Sequence, residues 1–287
     1  MYERLLVPTD GSVAANAAAK AAISISRQFD ADLFVLHVTD PEAPARVDDV
    51  FVREDTVEHV EKLASAGDVE TTVTVVDVED SIPRTIVSHA LDRGVDGLVM
   101  GTHGRGALDR FVLGSVTERT MAISPLPVLT VHEATETSDR FDRVLVPTDG
   151  STCADAGGDH AARLAAATGG ELHVIHVVDP DAVWDDVAGE MRVDDLDAAK
   201  ERAVEGVLSS AERFEVTTVE TAVLSGTPYQ AIVNYAIDNE IDCIVMGTHG
   251  RTGLSRYLLG SVTERVIRTA PVPVVTVKDT DADERSL

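Results

Sequence analysis

Short apolar runs without polar alternation are spaced by longer amphipathic or alanine-rich stretches along the whole chain. Leu5-Leu6-Val7, closed by Pro8, has the length and composition of a buried strand. Residues 12–28 follow as an alanine-rich helix with Ser12 at its N-cap. Asp32–Val38 is a second strand, 50–66 a polar helix, and Glu70–Val76 a third strand. Pro83 opens a helix that runs to about Arg93, because proline suits a first helical turn. Gly97–Met100 is a buried strand, Ser115-Val116-Thr117-Glu118 reads as a capping box that starts another helix, and Pro127–Val131 closes the unit. Strands that alternate with helices predict right-handed crossovers and a parallel sheet covered on both faces. In such sheets ligands bind at the carboxyl ends of the strands, where the strand order reverses.

The pattern then runs a second time. Val7-Pro8-Thr9-Asp10-Gly11-Ser12 recurs letter for letter as Val146 to Ser151, 139 residues on. Met100 to Arg105 recurs as Met246 to Arg251, 146 residues on, so the second copy is seven residues longer. The acidic stretch around Asp179–Asp197 is the expected place for all seven. A period this long is the size of a complete domain, not of a solenoid repeat. The expected organisation is one domain at 1–133, a polar linker at 134–140, a second domain at 141–278 and a flexible tail at 279–287.

Composition narrows the class. Fifty acidic against 24 basic residues give a formal charge of −26. This surface repels nucleic acid and anionic membranes, so neither is an expected partner. The scarcity of lysine points to a halophilic, high-salt cytoplasm, where screening shortens repulsion; a generic acidic surface is the alternative. Two cysteines argue against a disulfide framework. Cys153 falls opposite Ala14 and Cys243 opposite Gly97, so neither serves duplicated chemistry. The start leads straight into a strand with no signal peptide, and no apolar run nears the ~20 residues of a membrane span. The expectation is a cytoplasmic protein.

The candidate chemistry lies at two strand ends. Each copy has two glycines three apart, Gly101 and Gly104 or Gly247 and Gly250, then nine residues and a Gly-Ser pair, Gly114-Ser115 or Gly260-Ser261. Glycine admits an anion to the backbone N–H groups, and a helix N-terminus adds donors and a positive dipole end. Pro8-Thr9-Asp10 and Gly101–Gly104 both sit at strand carboxyl ends, so two motifs converge on one place. There is no Gly-Lys pair, hence no P-loop, and no dinucleotide fingerprint after the first strand.

These residues resemble the universal stress protein family. The likeness lies in Val-Pro-Thr-Asp-Gly-Ser, in the His-Val that ends the second strand, and in Met-Gly-x-x-Gly-x9-Gly-Ser, and it spans both halves. It implies an α/β fold of two tandem Rossmann-like, adenine nucleotide α-hydrolase-like domains, each a five-stranded parallel sheet of order 3-2-1-4-5. It also implies ATP or another adenine nucleotide, with Mg or Mn held by the phosphates; from the residues themselves, no clustered His, Cys or carboxylate spacing suggests a metal site built by the protein. Carried over residue by residue, the first site is Pro8, Thr9, Asp10, Val38, Met100, Gly101, Gly104, Arg105, Gly114, Ser115 and Val116. The second is Pro147, Thr148, Asp149, Val177, Met246, Gly247, Gly250, Arg251, Gly260, Ser261 and Val262. His103 and His249, inside the glycine loops, are added for phosphate contact.

Residue type sets the roles. The glycines wrap the phosphates; Ser115 caps its helix and also offers its hydroxyl to phosphate; Arg105 and Arg251 neutralise charge or are ordinary loop arginines. Asp10 and Asp149 serve the ribose or adenine edge or cap a turn, Val38 and Val177 offer backbone groups, and Met100 and Met246 floor the pocket or fill the core. His37 and His176 are read as satisfied structural histidines. Ser225-Gly226-Thr227-Pro228 stands where the first copy has Asp80-Ser81-Ile82-Pro83, with Ser81 opposite Gly226. The added acid and bulk are expected to weaken the first site. The resemblance implies an ATP-binding stress-response sensor or regulator, with no catalytic residue assigned. Its halves would pair as an intramolecular pseudo-dimer through Leu126–Val131 and Val272–Val277, and a homodimer or a further protein partner is compatible. A slow ATP hydrolase or phosphotransferase, and a partner-binding protein that holds no nucleotide, are the alternatives.

Overall fold

A computed structural model describes residues 1–41, 49–104, 113–135, 140–179, 193–250 and 259–279, with the backbone alone at 49–56 and 193–202. The predicted tail beyond 279 and linker residues 136–139 lie outside these. The chain divides into two compact units, Met1–Arg140 and Phe141–Leu287.

The first unit runs β1 (Arg4–Pro8), α1 (Val13–Phe29), β2 (Asp32–Thr39), α2 (Asp49–Ala66), β3 (Thr71–Asp77), α3 (Ile82–Asp92), β4 (Gly97–Gly101), α4 (Ser115–Ile123) and β5 (Val128–Val131). Parallel pairing joins β3 to β2, β2 to β1, β1 to β4 and β4 to β5. The second unit repeats this with β6 (Arg143–Pro147), α5 (Thr152–Thr168), β7 (Glu171–Val178), α6 (Val193–Arg213), β8 (Thr218–Ser225), α7 (Pro228–Asp238), β9 (Cys243–Gly247), α8 (Ser261–Thr269) and β10 (Val274–Val277). Its parallel pairs are β8 to β7, β7 to β6, β6 to β9 and β9 to β10. Both units therefore have the parallel pairing that the alternation predicts and the strand order 3-2-1-4-5 that the resemblance implies.

The apolar runs became strands because they are shielded on both faces. Leu5, Leu6 and Val7 of β1 and Val144, Leu145 and Val146 of β6 are at most 1% exposed. Truncating one such leucine to alanine costs about 2–5 kcal/mol. Alanine lets α1 lie close on the sheet: Ala14, Ala18 and Ala22 are fully buried. Ser12 caps α1 as expected, its Oγ accepting from Ala15 N at 3.1 Å, and Ser151 caps α5 through Ala154 N at 3.2 Å.

Three expectations are corrected. The capping box does not form: α4 starts with Gly114 as N-cap and Ser115 as its first helical residue. Glu118 N donates to the Gly114 carbonyl at 2.9 Å, so glycine's backbone alone serves the start. The seven added residues are also not one insertion. Leu33 pairs with Thr71, and its counterpart Leu172 pairs with Val219, so the offset grows from 139 in β2 and β7 to 148 in β3 and β8. It then falls to 146 at the next N-caps, Ser81 and Thr227. Ser81 accordingly stands opposite Thr227, not Gly226. Proline misled the alignment because Pro83 and Pro228 occupy different positions of the first turn, both of which tolerate it.

Candidate functional site

Each β1-type strand ends in a tight turn set by its own side chains. Thr9, 5% exposed, extends the ladder by donating N–H to the Leu36 carbonyl at 2.8 Å. Its Oγ1 accepts from Gly11 N at 3.2 Å, and Gly11 takes φ 76°, the left-handed region that glycine tolerates. Asp10 Oδ1 accepts from Ser12 N at 2.9 Å, delivering the chain into α1. Thr148, Gly150 at φ 74° and Asp149 repeat the arrangement, with Asp149 Oδ1 taking Ser151 N at 3.0 Å. The turn-capping reading of Asp10 and Asp149 thus describes one carboxylate oxygen of each.

The other oxygen faces the glycine loop. A Cβ built on Gly104 would lie 2.6 Å from Asp10 Oδ2, and one on Gly250 would lie 2.6 Å from Asp149 Oδ2. Nothing larger than glycine fits there without moving the carboxylate. The first glycine of each motif has a different neighbour. A Cβ on Gly101 would come 2.6 Å from the Ala14 carbonyl carbon, and one on Gly247 2.6 Å from the Cys153 carbonyl oxygen. Those two glycines let the first helix close on the strand end.

The far end of the loop is tied back to the same strand. Gly114 N donates to the Thr102 carbonyl at 2.7 Å, and Gly260 N to the Thr248 carbonyl at 2.8 Å. Thr117 Oγ1, one turn into α4, donates to the Gly101 carbonyl at 2.7 Å; Thr263 does the same for Gly247 at 3.0 Å. Ser12 Oγ adds a 3.4 Å bond to the His103 carbonyl. The start of α4 is thereby fixed over the ends of β1 and β4. Ser115 and Ser261, relieved of capping, are exposed at these helix starts, and Val116 and Val262 behind them are half-buried.

The structure thus gathers Pro8, Thr9, Asp10, Gly101, His103, Gly104, Gly114 and Ser115 at one sheet end. In the second unit it likewise gathers Pro147, Thr148, Asp149, Gly247, His249, Gly250, Gly260 and Ser261 at the carboxyl ends of that unit's strands. Val38 and Val177 are half-buried at the ends of β2 and β7, while Met100 and Met246 are buried to about 5% exposure. Arg105 and Arg251 lie outside the described residues. His103 Nδ1 sits 3.2 Å from Thr102 Oγ1, and His249 Nδ1 2.8 Å from Thr248 Oγ1, so each loop histidine is held by the threonine before it. His37 and His176 place Nδ1 2.8 Å from the Thr9 and Thr148 carbonyls, as satisfied structural histidines do. Among the described residues, no group of three His, Cys, Asp or Glu is placed to hold a metal ion. Cys153 and Cys243 are buried thiols.

The sequence reading passed over Thr102, Thr117, Thr248 and Thr263, all at most 5% exposed. Their signal was recurrence: Thr-His and Gly-Ser-Val-Thr-Glu stand in both copies.

The universal stress protein family model matches residues 1–132 and again 140–278. The chain belongs to the universal stress protein family. A universal stress protein of Mycolicibacterium smegmatis is 27% identical over a 293-residue alignment covering 96% of each chain. Universal stress protein MJ0531 of Methanocaldococcus jannaschii is 36% identical over 146 residues, 48% of this chain and 82% of its own. The crystal structure of a universal stress protein from Archaeoglobus fulgidus superposes with a TM-score of 0.67 at 26% identity, covering 97% of both chains. The tandem arrangement of two universal stress protein domains therefore extends along almost the whole chain.

Proposed function

We propose that each unit binds an adenine nucleotide, ATP foremost, at the carboxyl ends of its first and fourth strands, and that the chain is a cytoplasmic stress-response sensor or regulator. One observation carries this reading. In both units a turn anchored by a buried threonine, a glycine whose Cβ would displace an aspartate carboxylate, and an exposed serine opening a helix meet at the switch point of the sheet. Gly104, Gly114 and the α4 N–H groups would receive the phosphates, joined by the Ser115 hydroxyl, with Gly250, Gly260 and Ser261 as their counterparts. Asp10, Val38 and Met100, and Asp149, Val177 and Met246, would face the nucleoside. Mg or Mn would ride on the phosphates and spread their charge. Arg105 and Arg251 remain part of the proposal.

The roles assigned to these residues are binding roles. The chain is acidic, and no described helix is long and apolar enough to cross a membrane. We further propose that β5 and β10 pair the two units as an intramolecular pseudo-dimer, since an open apolar edge strand invites association. The test is direct. Purified chain is denatured and its small molecules identified by mass spectrometry, and the emptied chain is titrated with ATP and Mg by calorimetry. Recovery of adenine nucleotide and saturable binding are expected; neither extract nor heat would overturn the proposal.

A further inference from the structure

The two nucleotide sites have different rims at the end of β3 and β8. Val78 N donates to the Thr39 carbonyl at 2.8 Å, and Gly226 N donates to the Val178 carbonyl at 3.0 Å, so these residues occupy the same rung. From that rung the second unit reaches its α7 N-cap, Thr227, in the next residue. Gly226 makes so abrupt a turn by taking φ 134°. The first unit instead inserts Glu79 and Asp80 before its cap, Ser81. Asp77 precedes the rung where the second unit has Ser225, and its Oδ1 accepts from Thr39 Oγ1 at 2.5 Å. Three carboxylates, one closing β3 and two after it, thus precede α3, against none at the matching positions Ser225, Gly226 and Thr227. Arg84 Nη1 offsets Asp80 at 2.7 Å, and its counterpart under the cap alignment is the uncharged Gln230. The first rim therefore carries an excess of two negative charges.

Its position decides what those charges do. β3 pairs directly with β2, Val76 opposite Val38, so the rim begins about 4.8 Å, one strand spacing, from the proposed adenine edge. Glu79 and Asp80 are exposed, so their field reaches the site through solvent and is screened over roughly 10 Å at 0.1 M salt and 3 Å at 1 M. We propose that this acidic connection makes the first unit the weaker nucleotide site in dilute salt, and that the two sites converge when salt is high. The proposal rests on the adenine-nucleotide reading above.

The experiment uses the full chain, with Gly260→Val leaving the first site to be read and Gly114→Val the second. Each is titrated with ATP and Mg at 0.1 M and 2 M KCl. In dilute salt the second site should bind about threefold tighter or more, and the gap should close at 2 M. Asp77→Asn with Glu79→Gln and Asp80→Asn should raise first-site affinity at least to that of the second without moving the second. Native mass spectrometry of the unaltered chain guards against misfolded variants. At half-saturation, the singly loaded form should exceed the one-half share that equal, independent sites allow. Equal sites, a tighter first site, a gap unchanged by salt, or a triple variant without effect would each overturn the inference alone. Absence of nucleotide from both sites would overturn the underlying reading and this inference with it.

Discussion

Two glycines of one motif respond to different physics. Gly101 touches the backbone of α1, where neither side can yield cheaply, whereas Gly104 touches the tip of an aspartate side chain. Gly101→Ala should therefore lose about 1–3 kcal/mol of stability in denaturant titration. Gly104→Ala should leave stability within about 1 kcal/mol and lower nucleotide affinity instead, because its cost is a displaced Asp10 carboxylate. A second contrast lies at Asp155, whose counterpart at an offset of 139 is Asn16. Asp155 lines a cavity of about 530 Å³ with Asp159, Ser210 and Arg213 among its neighbours. Burial raises its pKa, and the charges of Asp159, Asp149 and Asp279 add to the shift. A raised carboxyl pKa in the folded state means the ionised form destabilises it, a penalty present at neutral pH and relieved as pH falls through that pKa. Asp155→Asn should thus raise the melting temperature at pH 7, with the gain vanishing at acid pH; a gain that persists there would contradict this account.

At the scale of elements, serine does unlike work at two helix starts. Ser12→Ala removes a cap and should cost about 1 kcal/mol. Ser115→Ala removes no cap, since Gly114 holds that position, and should change stability by less than about 0.5 kcal/mol while weakening nucleotide binding. Equal losses at the two serines would place Ser115 in the cap after all. Every strand of the first unit was legible in the chain, because runs such as Leu5-Leu6-Val7 and Gly97–Met100 have no stable place but a covered sheet. The start of α4 was not, because Ser-x-x-Glu fits a capping box and a first helical turn equally well in one dimension. The offset between the copies misled for a similar reason: Pro83 and Pro228 look like one anchor, and the strand registers, the helix caps and the ladder bonds of Val78 and Gly226 show otherwise. Packing causes were equally hidden; nothing in the letters Gly-Thr-His-Gly says that one glycine serves a helix and the other a carboxylate.

At the scale of the molecule, charge dominates. A net −26 repels itself in dilute buffer, and ions relieve this most in the compact state. Raising KCl from about 0.1 to 2 M should lift the melting temperature by several degrees, and a fall would remove the proposed high-salt adaptation. The halves also differ in a way that sheets tolerate. The offset changes only in the connections and helices between β2 and β3 and between β3 and α3, or their counterparts, while every strand keeps its partners. A duplicated protein built like this is modular at its openings. Exchanging residues 77–81 for 225–227 should transplant one half's admission rule into the other, with both frameworks left undisturbed.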